Sequence, residues 1–293
     1  MAERSGQGAG SAGGKLILCG EHAVVYGHPA IALGVDRRTR VHVRRMPGPT
    51  RVVTEVPPGQ EERLLRAVRT VLPEGWAVAI ETDLPIGQGM GSSAALAVAL
   101  VRAESDARGH VPDSQEVHLR AFAVERLFHG NASGIDHAVA ARGGVIRFRR
   151  TPDGPELTPL SIPPWSLVVL QSGGASDTAA LVAGVSAARP AVDPTLERIG
   201  ALVGEAEAVL DDMERLGPLL YENHGLLRAI GVSTPRLDAL VDLAMTAGAS
   251  GAKLAGAGGG GVVIALAEDP ELILSAARAH GIEAFPCRPG RSA

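Results

Sequence analysis

Between Pro85 and Ala95 the chain reads Pro85-Ile-Gly-Gln-Gly-Met-Gly-Ser-Ser-Ala-Ala95, with glycine at every second position leading into two hydroxyls and an alanine-rich helical stretch. Such a segment dictates a loop built on backbone rather than side chains. Glycines let backbone amides approach an anion with no Cβ in the way. The helix beginning near Ser92 adds unpaired N–H groups and the positive end of its dipole. The segment therefore reads as a phosphate cradle. It is neither of the common nucleotide loops. A P-loop would carry Lys after its last glycine, where this chain has Ser92 and Ser93. A dinucleotide fingerprint would close a buried apolar strand, whereas Glu81, Thr82 and Asp83 precede this one. An ordinary glycine turn before an amphipathic helix would use the same residues. Two further stretches weigh against it.

The first is Gly14-Lys-Leu-Ile-Leu-Cys-Gly-Glu-His-Ala-Val-Val-Tyr-Gly-His-Pro-Ala30, an apolar strand opened by Lys15, a polar turn carrying Glu21 and His22, and the start of a second apolar strand. Charges at a strand exit tend to face a cleft. The second is Lys253-Leu-Ala-Gly-Ala-Gly-Gly-Gly-Gly-Val-Val-Ile-Ala265, where five glycines between 256 and 261 bend the backbone before a buried strand. Core packing does not account for such a run, since each glycine loses more conformational entropy than alanine would. A tight β-bend without ligand contact is the plain alternative. Lys253 receives no role from the sequence.

Composition narrows the function classes. A chain of 293 residues forms one large or two modest domains and buries a substantial core. Apolar residues make up 45%, mostly small, and aromatics only 3%, so alanine and valine must build that core. A net charge of −4 with mixed signs argues against nucleic acid, and the short clusters at Arg37-Arg38, Arg44-Arg45 and Arg147–Arg150 read as solvated strand edges. Cys19 and Cys287 have no metal or disulfide spacing, and Cys19 reads as a small buried residue. Residues 1–13 are small and polar, without the apolar core of a signal peptide, and are expected to be a disordered tail. No segment reaches 18 consecutive apolar residues, so the expectation is a cytosolic, membrane-free protein.

Periodicity gives an early set of short strands with turns between them, then a helix near 60–71, a strand near 76–81, and helices near 92–107, 114–128 and 133–141 before a strand at 144–148. Five prolines between 151 and 164 read as a loop or boundary. A strand at 167–171 is followed by three or four helices broken at Pro190, Pro218 and Pro235, then sheet at 253–266, a helix at 270–280 and a last strand at 282–285. The expected organisation is a tail (1–13), a first domain (14–150) holding the cradle and a second domain (165–293), with the active site in the cleft between two α+β lobes.

With its three glycine-bearing stretches in this order, the chain resembles the GHMP kinases from Gly14 to about Cys287. Within that family, Gly20–Ala30 is similar to the mevalonate kinase branch, as are Glu125-Arg-Leu-Phe-His-Gly-Asn-Ala-Ser-Gly-Ile-Asp136 and Asn223-His224 with its following leucines. The resemblance implies an α+β fold with a ribosomal S5-like N-terminal lobe and a ferredoxin-like C-terminal lobe. It also implies ATP-dependent phosphorylation of the 5-hydroxyl of mevalonate. Phosphomevalonate or another small alcohol is the alternative acceptor. A catalytically silent relative is the reading from another class, and a silent chain should have lost one of Lys15, Ser93, Glu125 and Asp136.

The resemblance assigns ATP to Gly87, Gln88, Gly89, Met90, Gly91, Ser92 and Ser93, and Mg²⁺ to Ser93 and Glu125, with Ser92 able to replace Ser93. Asp136 matches the catalytic aspartate and Lys15 the lysine beside it. Glu21, His22, Ser133 and Thr178 match substrate contacts. Asp136 alone would equally suit helix capping, and Lys15 alone a solvated strand end. Gln88 and Met90 depart from the smaller or leucine residues usual in the second motif, which a backbone cradle tolerates. The expected partners are mevalonate and ATP, with no nucleic acid and no membrane; a homodimer is left open.

Overall fold

The computed structural model describes residues 6–56, 58–128, 135–174 and 176–290, the side chains of 125–128 excepted. β1 (Gln7–Cys19) and β2 (Pro29–Pro49) run antiparallel, Gln7 opposite Arg44 and Cys19 opposite Ile31, and between them lies a short 3₁₀ turn at Ala23–Tyr26. β3 (Arg51–Val52), α1 (Glu61–Val71) and β4 (Glu74–Thr82) follow. Next come α2 (Ser92–Ala107), α3 (Ser114–Phe128), α4 (Ile135–Arg142) and the hairpin of β5 (Val145–Thr151) and β6 (Gly154–Leu160). β1 lies along one side of β2. On the other side β5 pairs with the start of β2 and β4 with the rest, so β2 is the spine of a six-stranded sheet.

The remainder is built on β7 (Leu167–Gln171), followed by α5 (Thr178–Ala187), α6 (Asp193–Glu207), α7 (Met213–Ala229) and α8 (Pro235–Thr246). β8 (Gly251–Ala255), β9 (Val262–Leu266), α9 (Pro270–Ala279) and β10 (Ala284–Cys287) complete it. The four strands pair antiparallel in the order β10-β7-β9-β8, with α7, α8 and α9 packed against them. Two sheets in a mixed α+β architecture match the expected fold class. One apolar core extends from Leu16, Val41 and Leu100 to Leu167, Ile264 and Phe285, so the two sheets share buried surface. Among the described residues no helix is long and apolar enough to cross a membrane.

Several expectations need correction. Residues 7–13 are strand, not tail. Their small side chains allow α2 to lie directly on β1: a Cβ at Gly8 would stand 2.3 Å from the Ala103 carbonyl, and one at Gly10 2.2 Å from that of Ala99. Low side-chain bulk signals close approach here rather than flexibility. Lys15 accordingly sits within β1 instead of opening it. The stretches around Ile31–Val35 and Val41–Val43, expected as separate strands, are one strand, β2, whose arginines are held at its surface. Arg37 stacks on the Phe285 ring, Arg45 on Trp76, and Arg38 donates to Ser11. The proline-rich stretch contains β6, an edge strand, where proline's missing N–H costs little. Pro218 lies inside α7, which packs so closely on the start of β8 that a Cβ at Gly217 would stand 2.1 Å from the Ser250 carbonyl. Packing overrides the local break there.

Candidate active site

The cradle forms as its glycines require. Gly87, Gly89 and Gly91 adopt φ of 74°, 79° and 70°, the left-handed region that side chains disfavour. Gly91 caps α2 with no side-chain hydrogen bond, leaving first-turn N–H groups directed with Ser92 and Ser93 toward a cavity of about 200 Å³. Two residues assigned to this loop do not reach the cavity. Met90 is fully buried and anchors the loop from below, while its carbonyl accepts the Lys15 N–H at 2.9 Å. Gln88 turns its carbonyl toward Gly261, where a Cβ would stand 2.9 Å away. The glycines after β8 thus back the cradle: Gly256 packs against Gly89, and Gly261 lies so close to Gln88 that a side chain there would press on its carbonyl.

Across the cavity, Lys15 Nζ lies 3.1 Å from Asp136 Oδ1. Lys15 is 6% exposed and Asp136 27%, so the lysine is fixed and the carboxylate open to the cleft. Asp136 lies in the first turn of α4, where the helix dipole favours its charge. Ser133 lies outside the described residues. Glu125 is on α3, but its side chain is likewise outside them.

The turn after β1 supplies another wall. His22 has φ 60° and ψ −49°, and the Ala23 N–H donates to the Glu21 carbonyl at 2.7 Å, a three-residue γ-turn that is strained for a non-glycine residue. Burial holds the His22 imidazole below its ordinary pKa, so the neutral ring donates Nε2–H to the Ala257 carbonyl at 2.8 Å. Glu21 borders the cavity, yet both carboxylate oxygens are engaged: Oε1 with Lys253 Nζ, and Oε2 with Asn223 Nδ2 at 3.0 Å. Glu21, expected as a substrate contact, thus meets the cavity with its carboxylate held in a buried ion pair. Thr178 begins α5 and borders the cavity; the capping oxygen is that of Asp177, not Thr178. Burial, and then the Glu21 carboxylate, pushes the nearby Cys19 thiol up to about 12, so it stays protonated.

Ser176 escaped the sequence reading, and Lys253 and Asn223 were named there without a role in the site. Ser176 borders the cavity and donates to the Gly258 carbonyl at 2.6 Å. Lys253 offered one signal. A lysine inside a wholly apolar strand must have a buried acidic partner, but nothing local points to Glu21, 232 positions away. The remaining walls are apolar: Ile17, Val24, Val25, Ile135 and Val182. Among the described lining residues Lys15 is the one lysine or arginine. A second cavity of about 230 Å³ adjoins the first through Gly87, Ser92 and Ser93 and extends between Thr39, Thr54, Gln60, Leu64 and Ile86.

This arrangement suits phosphoryl transfer: an anion cradle, a carboxylate aimed into the cleft and a fixed cation beside it. Comparisons with known proteins agree. The family model described as GHMP kinases N terminal domain matches residues 62–144, and that described as GHMP kinases C terminal matches 205–284. The mevalonate kinase of Thermococcus gammatolerans is 37% identical, with 89% of each chain covered, and that of Pyrococcus abyssi 38% identical, with 88% of each covered. The crystal structure of L. major mevalonate kinase in complex with R-mevalonate superimposes with a TM-score of 0.89 at 30% identity, covering 98% of each chain.

Proposed function

The chain belongs to the GHMP kinase family, and on that premise we propose that it transfers the γ-phosphoryl group of ATP to the 5-hydroxyl of mevalonate. The observation that carries the site assignment is the Lys15–Asp136 pair, 3.1 Å apart, facing the glycine cradle. Asp136 accepts the hydroxyl proton as the acceptor oxygen attacks the γ-phosphorus. The new O–P bond forms as the bond to the β-phosphate oxygen breaks, and ADP leaves. Lys15 offsets the charge that develops on the acceptor oxygen. Backbone N–H groups of the cradle hold the phosphates, and the second cavity takes the nucleoside, since it meets the first at Gly87, Ser92 and Ser93.

Hydroxyls at the α2 N-terminus beside an open carboxylate make a hard-oxygen donor set that fits Mg²⁺, an ion usually held by one or two protein oxygens plus phosphates and water. Ser93 and Glu125 are the residues assigned to hold it, and the ion when bound offsets phosphate charge. The apolar wall of Ile17, Val24, Val25, Ile135 and Val182 suits the branched carbon skeleton of mevalonate. An acceptor that already carried a phosphate would call for further cations there. ADP release measured over a panel of small alcohols tests the reading; turnover of some other alcohol with none of mevalonate would reject it.

A further inference from the structure

Glu21, Lys253, Asn223 and His22 form a polar cluster that the chemistry above does not use. Lys253 and Asn223 are fully buried, and Glu21 is 1% exposed. Lys253 Nζ bonds Glu21 Oε1 and the Leu254 carbonyl, and Asn223 on α7 donates to the other Glu21 oxygen. An ion pair this deep is weak support for stability, because well-packed apolar residues of similar volume often do as well or better. Its location suggests another use. Glu21 also supplies the carbonyl that closes the γ-turn at His22, and strained turns persist only where their surroundings over-determine them. The surroundings here are β8, α7 and the Ala257 carbonyl, all from the half of the chain that carries the second sheet, gripping a turn between the first two strands of the other sheet.

We propose that Lys253 is a positioning residue for the acceptor: through Glu21 it fixes the His22 turn, and so the acceptor wall of the cleft, without itself touching substrate. This rests on the kinase reading above. Lys253 does not border the cavity, whereas Glu21 and His22 do. The cradle is held by other contacts, including the Lys15 N–H to the Met90 carbonyl. Acceptor binding and ATP binding should therefore respond differently.

The test compares wild type with Lys253→Met, Glu21→Gln and the double variant Glu21→Gln/Lys253→Met, which buries no unpaired charge and keeps the test open if Lys253→Met fails to fold. Melting temperature, kcat and both KM values are measured. The His22 ring is followed by ¹⁵N NMR, its signal assigned by His22→Gln. The proposal expects KM for mevalonate to rise at least about tenfold while KM for ATP stays within about threefold. The double variant should regain melting temperature without regaining acceptor KM, and the His22 Nε2–H should lose exchange protection in every folded variant. A double variant with wild-type acceptor KM and an unchanged His22 signal would overturn the proposal, as would equal rises in both KM values. Wild type inactive on mevalonate would sink the kinase reading instead, leaving the His22 signal to decide this one.

Discussion

Gly87 and Gly91 offer a matched pair of perturbations in one loop. Both adopt positive φ, 74° and 70°, so alanine at either position meets the same backbone penalty, about 1–2 kcal/mol. In a chain this size that lowers the melting temperature by only a few degrees. They differ in what the new methyl group meets. At Gly87 nothing lies within 4 Å, whereas at Gly91 the Cβ would stand 2.9 Å from Lys15 Cγ. The Lys15 stem must then give way by a few tenths of an ångström. If its ammonium moves about 0.5 Å from Asp136, the attraction across the present 3.1 Å falls by about 0.7 kcal/mol at an effective dielectric of about 20, roughly threefold in rate. Misalignment of the reacting groups can raise the loss toward about a hundredfold. Coupled ADP-release kinetics at saturating substrates, with melting temperatures taken alongside, should show similar destabilisation but a kcat at least about threefold lower for Gly91→Ala than for Gly87→Ala. Equal kcat values, or a worse loss at Gly87, would refute the placement of Lys15 between cradle and base.

Asp136→Asn should lower kcat by at least about two orders of magnitude with ATP binding nearly intact, since an amide cannot take the proton; turnover above about a tenth of wild type would remove Asp136 as the base. Glu125→Gln should raise the Mg²⁺ concentration for half-maximal rate, and an unchanged titration would take Glu125 out of the metal site. Burial lowers the pKa of His22 and of His224 below 6.5, so the folded chain binds fewer protons than the unfolded one below that pH. Stability should be full above about pH 6.5 and fall on acidification, by at most about 1.4 kcal/mol per pH unit per histidine. Melting temperatures between about pH 8 and pH 5.5 should show a shallower fall in His22→Gln than in wild type; equal slopes would mean that His22 takes up its proton alike in the folded and unfolded states.

Local chemistry was readable where one segment carries all of it. The cradle glycines and α2 follow from composition alone, because positive φ and helix propensity are properties of the residues themselves. The kinase family was readable from three such segments in order. Pairings were not. That Lys15 meets Asp136 came from the resemblance alone, and the partner of Glu21 is set by how β8 packs against the first turn. Residues 7–13 were misread for a related reason: glycine and alanine look flexible in sequence, yet here they let a helix lie against the strand. Arg37 and Arg38 read as a solvated strand edge because stacking on Phe285 and a bond to Ser11 are invisible before the fold brings them together. Glu21 was rightly placed at the cleft, but its role depends on Lys253, for which the sequence offered only an unexplained lysine in an apolar strand.

Mevalonate offers this cleft a single carboxylate. Lys15, the one lysine or arginine among the described residues of its wall, is already paired with Asp136, so none of those residues offers a second lysine or arginine for another anionic group. The most direct measurement is kcat/KM for mevalonate against phosphomevalonate, with ATP and Mg²⁺ saturating, on the purified chain. The expected preference for mevalonate is at least about tenfold, about 1.4 kcal/mol of transition-state binding. Equal values, or a preference for phosphomevalonate, would contradict the assignment.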